Sequence, residues 1–449
     1  MTESQATTVS EGHASSRHSK GLTAVESSVP ERPQSTALVL TGGGARGAYE
    51  AGVLQYIYES MPRHCPRSPL FDLYCGTSAG ALNACTVAAL AHNPESACYN
   101  LSNYWRSITM DRLLAFGYKE LRRAPELMLG STLFNNAERK QRRPKAPANA
   151  PHPPVAGLFD TSPLFHDMST LIPWQQLQAN LVGGLIRGVA VCATEVCTSR
   201  PVIFYQMHAP FDFAHGPGRT REARSVRLNV EHAMASSAIP FLFPAIQVDG
   251  VCYVDGALRQ NTPIYPALRM GADRMLMIGL SRDPGVRYRS ARMGCRRNPF
   301  PGSLFLLGRT VNALVDGVLD EELHQIEMFN RILENGRKKY GEAFLEHFND
   351  AAEANRNARF RPIRSLLIRP SKSLNKLAFD AIRKAPEETR LAGAPGRLVS
   401  RALMSEALLD SELSSFLLFT PTYVRSLLEL GYQDAKARHD ELVSFFSLS

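Results

Sequence analysis

The stretch Ala37–Ile57, ALVLTGGGARGAYEAGVLQYI, joins a short apolar run to a cluster of glycines and then to a helical pattern. An apolar run that stops at turn-forming glycines reads as a β-strand with an abrupt end. Beyond Gly47, the positions Glu50, Val53, Leu54, Ile57 and Tyr58 recur at helical spacing, and four of them can face a core. Strand, glycine loop and helix in that order form the opening unit of an α/β fold. Gly42, Gly44 and Gly47 also fit G-x-G-x-x-G, which offers backbone N–H groups to an anion at a helix N-terminus. That anion is either the pyrophosphate of a dinucleotide or an oxyanion formed during a reaction.

The same alternation continues to about Leu280 through FDLYCG, GVAVCATEV, PVIFY, GVCYVDG and RMLMIGL, which predicts an α/β domain with a mainly parallel sheet. ALNACTVAALA, after Gly80, is apolar nearly all round and predicts a helix buried under that sheet. IQVDGVCYVDG reads as a hairpin with Asp249-Gly250 at its tip. The expected organisation is a disordered polar tail over 1–36, an α/β domain over 37–335 and a mostly helical region over 336–449. The α/β domain carries a basic, proline-rich insertion near 118–155. A further basic loop, SRDPGVRYRSARMGCRRNPFPG, follows Leu280; a strand-like IRSLLIRP and a Pro/Gly link, LAGAPG, precede the closing helices.

The 449 residues are 44% hydrophobic, enough for a substantial core. Lys and Arg number 51 against 42 Asp and Glu, a formal charge of +9 that favours anionic surfaces without choosing between lipid and nucleic acid. The eight cysteines form no C-x-x-C pair, which suggests a reducing compartment. The N-terminal stretch lacks the apolar centre of a secretory signal, and no segment approaches eighteen consecutive apolar residues. A cytoplasmic or peripherally membrane-associated protein is expected.

A second glycine motif, GTSAG at Gly76 to Gly80, fits the G-x-S-x-G nucleophile elbow, with a strand-like run before it and the buried helix after it. An elbow holds its serine on a strained turn, and glycines at Gly76 and Gly80 remove side chains that would collide there. The competing reading is a tight turn whose serine only caps the helix. The elbow bears on the opening loop. A dinucleotide site needs an acid about twenty residues on, at the end of the second strand, but Glu59 ends a helix and Asp72 opens a strand. A P-loop needs Lys after its last glycine, and Ala48 stands there. An acyl-transfer site needs backbone donors aimed at a tetrahedral oxyanion, which Gly42, Gly43, Gly44 and Gly47 suit. Arg46, inside the loop, either fixes its shape or meets an anionic head group. Asp255 in GVCYVDGALRQNTPI, at a strand end before a glycine, is the candidate base for Ser78.

TGGGARG, GTSAG and DGA, in that order, resemble the oxyanion loop, nucleophile elbow and aspartate motif of the patatin-like phospholipases. GLFDTSPL at Gly157, ASSAIPFLFPAIQVDG at Ala235 and NTPIYPALRMGAD at Asn261 resemble bacterial members as well. The resemblance implies a three-layer α/β/α fold with a C-terminal helical region and a Ser-Asp dyad without histidine. In that dyad Ser78 is the nucleophile and Asp255 the base, with the Gly42–Gly47 loop as oxyanion hole. It further implies hydrolysis of acyl esters of phospholipids, lysophospholipids or neutral glycerolipids, with no cofactor and no active-site metal.

Three other readings compete. A Ser-His-Asp esterase would draw its base from His324 or His347, both in charged helical segments. A non-catalytic membrane-surface or nucleic-acid-binding protein would use ERKQRRPK and the arginines around Arg292, but no nucleic-acid-reading module is present. A nucleotide-binding oxidoreductase lacks its ribose acid.

Overall fold

In the computed structural model, which describes residues 34–65, 67–113, 157, 159–213, 220–240, 242–282, 285, 319–356, 360–391, 396, 400 and 413–447, the run Thr36–Leu40 forms strand β1. β1 is buried along its whole length, as an unbroken apolar run requires of a parallel strand covered on both faces. Eight further strands share its sheet: β2 (Leu73–Thr77), β3 (Gly188–Glu195), β4 (Pro201–Met207), β5 (Glu222–Ser225), β6 (Ile246–Val248), β7 (Val251–Asp255), β8 (Arg274–Ile278) and β9 (Arg364–Ile368). Their order is β5-β4-β3-β2-β1-β8-β9, with β7 paired to β3 and β6 to β7. The pairs β1–β2, β1–β8, β2–β3, β4–β5 and β8–β9 are parallel, while β3–β4, β3–β7 and β6–β7 are antiparallel. The sheet is therefore mainly parallel, as the alternating pattern predicts.

The described helices are α1 (Gly47–Ser60), α2 (Ala79–Ala89), α3 (Pro94–Ser107), α4 (Met110–Leu113), α5 (Ser162–Leu171), α6 (Trp174–Val182), α7 (Val230–Ser236), α8 (Ile264–Arg269), α9 (Leu319–Tyr340), α10 (Ala343–Arg356), α11 (Leu374–Lys384), α12 (Leu413–Leu417), α13 (Pro421–Ala437) and α14 (His439–Ser447). They cover both faces of the sheet. Successive residues of a strand point to opposite faces, and β1 divides accordingly. Leu38 and Leu40 join one core with Val53 and Leu54 of α1, Leu82 of α2 and Leu427 of α13. Ala37 and Val39 join the other, with Ile264 and Ala267 of α8 and Ile326 of α9. This is a three-layer α/β/α fold, and every residue of α2 is buried.

The Asp249-Gly250 hairpin forms between β6 and β7, with φ of 49° and 79° at its two tip residues. Positive φ at both positions is the signature of a type I′ turn. β5, EARS, had no signal in the sequence: it is a half-exposed strand at one end of the sheet order, where no apolar alternation is needed. IRSLLIRP supplies β9, which extends the same sheet beyond β8. The polar tail, the basic insertion near 118–155, the basic loop after Leu280 and the LAGAPG link lie wholly or largely outside the described residues.

Candidate active site

β2 ends at Thr77, α2 begins at Ala79, and Ser78 turns the chain between them at φ 55° and ψ −127°. A non-glycine residue is rarely found there, and such strain persists only where the surroundings enforce it. The two flanking glycines are required by close approach. A Cβ on Gly76 would lie 2.2 Å from the Gly80 carbonyl oxygen, and one on Gly80 would lie 2.6 Å from that of Leu40. Asp255 closes β7, whose partner β3 also pairs with β2, so the sheet brings the two residues together across 177 positions. Ser78 Oγ donates to Asp255 Oδ2 at 2.6 Å, and the Ala257 N–H donates to Oδ1 at 2.8 Å. Both residues are buried. Burial pushes the Asp255 carboxyl up to about 6, against the two hydrogen bonds that favour its ionised form.

The glycine loop lies against this pair. A Cβ on Gly42 would come within 3.0 Å of Ser78 Cβ and 2.5 Å of Asn261 Oδ1, so only glycine fits. The loop's N–H groups are not equivalent. Gly42 donates to the Asn261 carbonyl at 3.2 Å, Arg46 to that of Gly43 at 3.1 Å, and Gly47 to that of Gly44. The N–H groups of Gly43 and Gly44 have no acceptor among the described residues. Arg46 is buried; its Nε and Nη2 donate to Ser415 Oγ and its guanidinium covers the Phe416 ring. That geometry ties the loop to α12.

Several neighbours carry no motif letter. Glu50 is completely buried, accepting from the Thr41 N–H and from Asn83 Nδ2, each at 2.9 Å. Asn83 also donates to the Gly47 carbonyl at 3.1 Å and accepts from Trp105 Nε1 at 2.9 Å. Burial pushes the Glu50 carboxyl up to about 8, opposed by its Asn83 and Thr41 donors. The sequence held one sign of this, an acid in line with the apolar stripe of α1. Ser236 Oγ accepts from the Ser78 N–H at 2.9 Å. Beside Ser78 and Gly44 opens a cavity of about 410 Å³, counted with the space that reaches solvent; Leu82, Trp105, Ile108, Leu164, Ile239 and Phe419 are among its walls. His324 and His347 are exposed on α9 and α10, and among the described residues no histidine hydrogen-bonds Ser78 or Asp255. No three metal-ligating side chains gather among the described residues.

The model of the patatin-like phospholipase family matches residues 38–268, a span that contains the glycine loop, the elbow and Asp255. The chain belongs to the patatin-like phospholipase family. A cGAMP-activated phospholipase of Pseudomonas aeruginosa (strain BWHPSA011 / Pa011) is 29% identical over 233 residues, 51% of this chain and 55% of that protein. The match thus spans about half the length of that relative. Among solved structures, VipD from Legionella pneumophila is 12% identical with a TM-score of 0.28, over 90% of this chain and 92% of that one. Human GIVD cytosolic phospholipase A2, in complex with methyl gamma-linolenyl fluorophosphonate, is 14% identical with a TM-score of 0.29, over 93% of this chain and 60% of the other. At such scores family membership rests on the sequence match. In this patatin-like chain, Ser415, Phe416 and Phe419 lie beyond the matched span yet touch the glycine loop or line the cavity.

Proposed function

We propose that the protein is a serine-dependent lipid acyl hydrolase working through a Ser78–Asp255 dyad. The observation that carries this reading is the 2.6 Å hydrogen bond between them beside a cavity that Gly44 also lines. Ser78 Oγ attacks the ester carbonyl carbon as its proton passes to Asp255 Oδ2. The carbonyl oxygen becomes the tetrahedral oxyanion and is met by the N–H groups of Gly43 and Gly44. Each such donor contributes a few kcal/mol in reactions of this kind, and the N-terminus of α2 adds favourable potential. When the tetrahedral species collapses, the C–O bond to the alcohol breaks and that oxygen takes the proton from Asp255, leaving an acyl-Ser78 ester. Water then attacks that ester with Asp255 again accepting the proton, which releases the acid and returns Ser78.

The substrate class follows from the cavity and the family. An ester beside Ser78 can lay an acyl chain along Leu82, Trp105, Ile239 and Phe419, where burial is worth about 0.8 kcal/mol per CH₂. The net charge of +9 supports contact with an anionic phospholipid surface, and no described helix is long and apolar enough to cross a membrane. A histidine-based triad is disfavoured by the lack of a histidine partner for either dyad member among the described residues. The deciding experiment is a lipid panel with products identified by mass spectrometry, run on wild type and Ser78→Ala. Wild type should release free fatty acid and label with a fluorophosphonate, and Ser78→Ala should do neither. Hydrolysis retained in Ser78→Ala would sink the mechanism.

A further inference from the structure

We propose that Ser236 is a positioning residue, and that the segment Ser236–Ala238 fixes the spacing between nucleophile and base. The inference rests on the reading of Ser78 as nucleophile. Thr77 is the last residue of β2 in register with β3, opposite Cys192. One residue later the chain leaves the sheet, and the Ser78 N–H needs another acceptor. Ser236 Oγ occupies that place: it accepts from the Ser78 N–H at 2.9 Å and donates to the Cys192 carbonyl at 2.6 Å. One hydroxyl thus stitches the strained elbow to the neighbouring strand beyond the last paired residue. A hydroxyl is suited to this because it accepts and donates at once. Ser236 is fully buried, so water cannot take over the two bonds without a change of packing.

Two residues on, the Ala238 carbonyl accepts the N–H of Asp255 at 2.8 Å. Nucleophile and base are therefore anchored to the same short segment, one through a side chain and the other through a carbonyl. Asp255 is held at its far side as well, where Thr194 Oγ1 donates to its carbonyl at 3.0 Å. The Ser78 carbonyl is held by the helix that follows, accepting from the Ala81 and Leu82 N–H groups at 2.9 and 3.3 Å, while Ser236 holds its N–H side, and an unusual φ is retained only where neighbours over-determine it. Removing the hydroxyl takes the acceptor from the buried Ser78 N–H and a donor from the buried Cys192 carbonyl, and the elbow can respond by relaxing toward ordinary backbone. That movement displaces Ser78 Oγ from Asp255 Oδ2 and from the Gly43 and Gly44 donors. A further consequence is that the Ser78 N–H is already engaged and takes no part in holding the oxyanion.

The test compares wild type, Ser236→Ala, Ser236→Cys and Ser236→Thr in the full chain. Hydrolysis of p-nitrophenyl butyrate is measured per active site, the sites being counted by fluorophosphonate labelling. Ser236→Ala should lose roughly 10- to 100-fold in kcat per labelled site, as expected for small misplacements of reacting groups, with KM within about 2-fold. Ser236→Cys, which keeps the volume with a poorer acceptor, should fall in the same direction and serves if the alanine variant does not fold. Ser236→Thr, which keeps the hydroxyl, should recover most of the rate. A wild-type rate per labelled site in both the alanine and cysteine variants, with loss only of active fraction or melting temperature, would show a merely structural role and overturn the proposal. Ser78→Ala separates the two failures: hydrolysis surviving there defeats the dyad itself, whereas an inactive Ser78→Ala beside an unaffected Ser236→Ala defeats only the positioning role.

Discussion

The guanidinium of Arg46 lies 3.8 Å over the ring of Phe416, while its Nε and Nη2 donate to Ser415 Oγ at 3.0 and 2.6 Å. Residues 369 positions apart thereby join the glycine loop to a segment outside the region matched by the family model. Arg46→Ala removes charge-assisted bonds and a buried cation–π contact, at a cost of about 1–3 kcal/mol. Thermal denaturation should show the lower melting temperature, and kcat should fall as the loop loosens. Arg46→Lys should restore little, because an ammonium lacks the planar fork that bonds Ser415 while lying flat on Phe416.

With Asp255 as the proposed base, its carboxyl, raised by burial to about 6, should set an acid limb for activity. A general base works only when ionised. Values of kcat/KM should therefore rise with pH through a midpoint at about 6 before levelling off, and Asp255→Asn should abolish the activity along with that limb. An acid limb near the ordinary aspartate range, about 4, would contradict the buried setting.

Glu50 makes a separate prediction for stability. Its carboxyl is raised to about 8 in the fold, so between the ordinary range and about 8 the folded state holds a proton that the unfolded state has lost. Stability then falls as pH rises through that window. Urea midpoints from pH 5 to 8.5 should decline in wild type, and the decline should be shallower in Glu50→Gln, which has no proton to lose.

Phe419 stacks against Trp105 with ring centroids 6.5 Å apart and planes 6° from parallel, and both rings line the cavity beside Ser78. Phe419→Leu should open that wall and move the preferred p-nitrophenyl ester toward longer chains. Equal changes at every chain length would place Phe419 outside the acyl path. Phe419→Ala should do the same with a larger loss of stability, about 3–5 kcal/mol for a buried phenylalanine.

The fold was legible wherever burial forces a pattern. β1, β2, β3 and β8 are apolar because they are covered on both faces, and the I′ hairpin at Asp249-Gly250 follows from its turn residues. β5 escaped because a half-exposed strand at the end of the sheet order needs no apolar run. Glu50 appeared only as a member of the α1 stripe, since spacing shows which way a residue faces and not which donors await it.

For the candidate site, the sequence alone determined the residue types and the order of TGGGARG, GTSAG and DGA, because a tight elbow and close backbone approach demand glycine locally. Distances between distant segments were decided only by the tertiary structure. The sheet brings Ser78 to 2.6 Å from Asp255, Ser236 takes up the Ser78 N–H, and α12 supplies the partners of Arg46. None of these contacts has a period or a spacing, because each is made by packing elements that are remote along the chain.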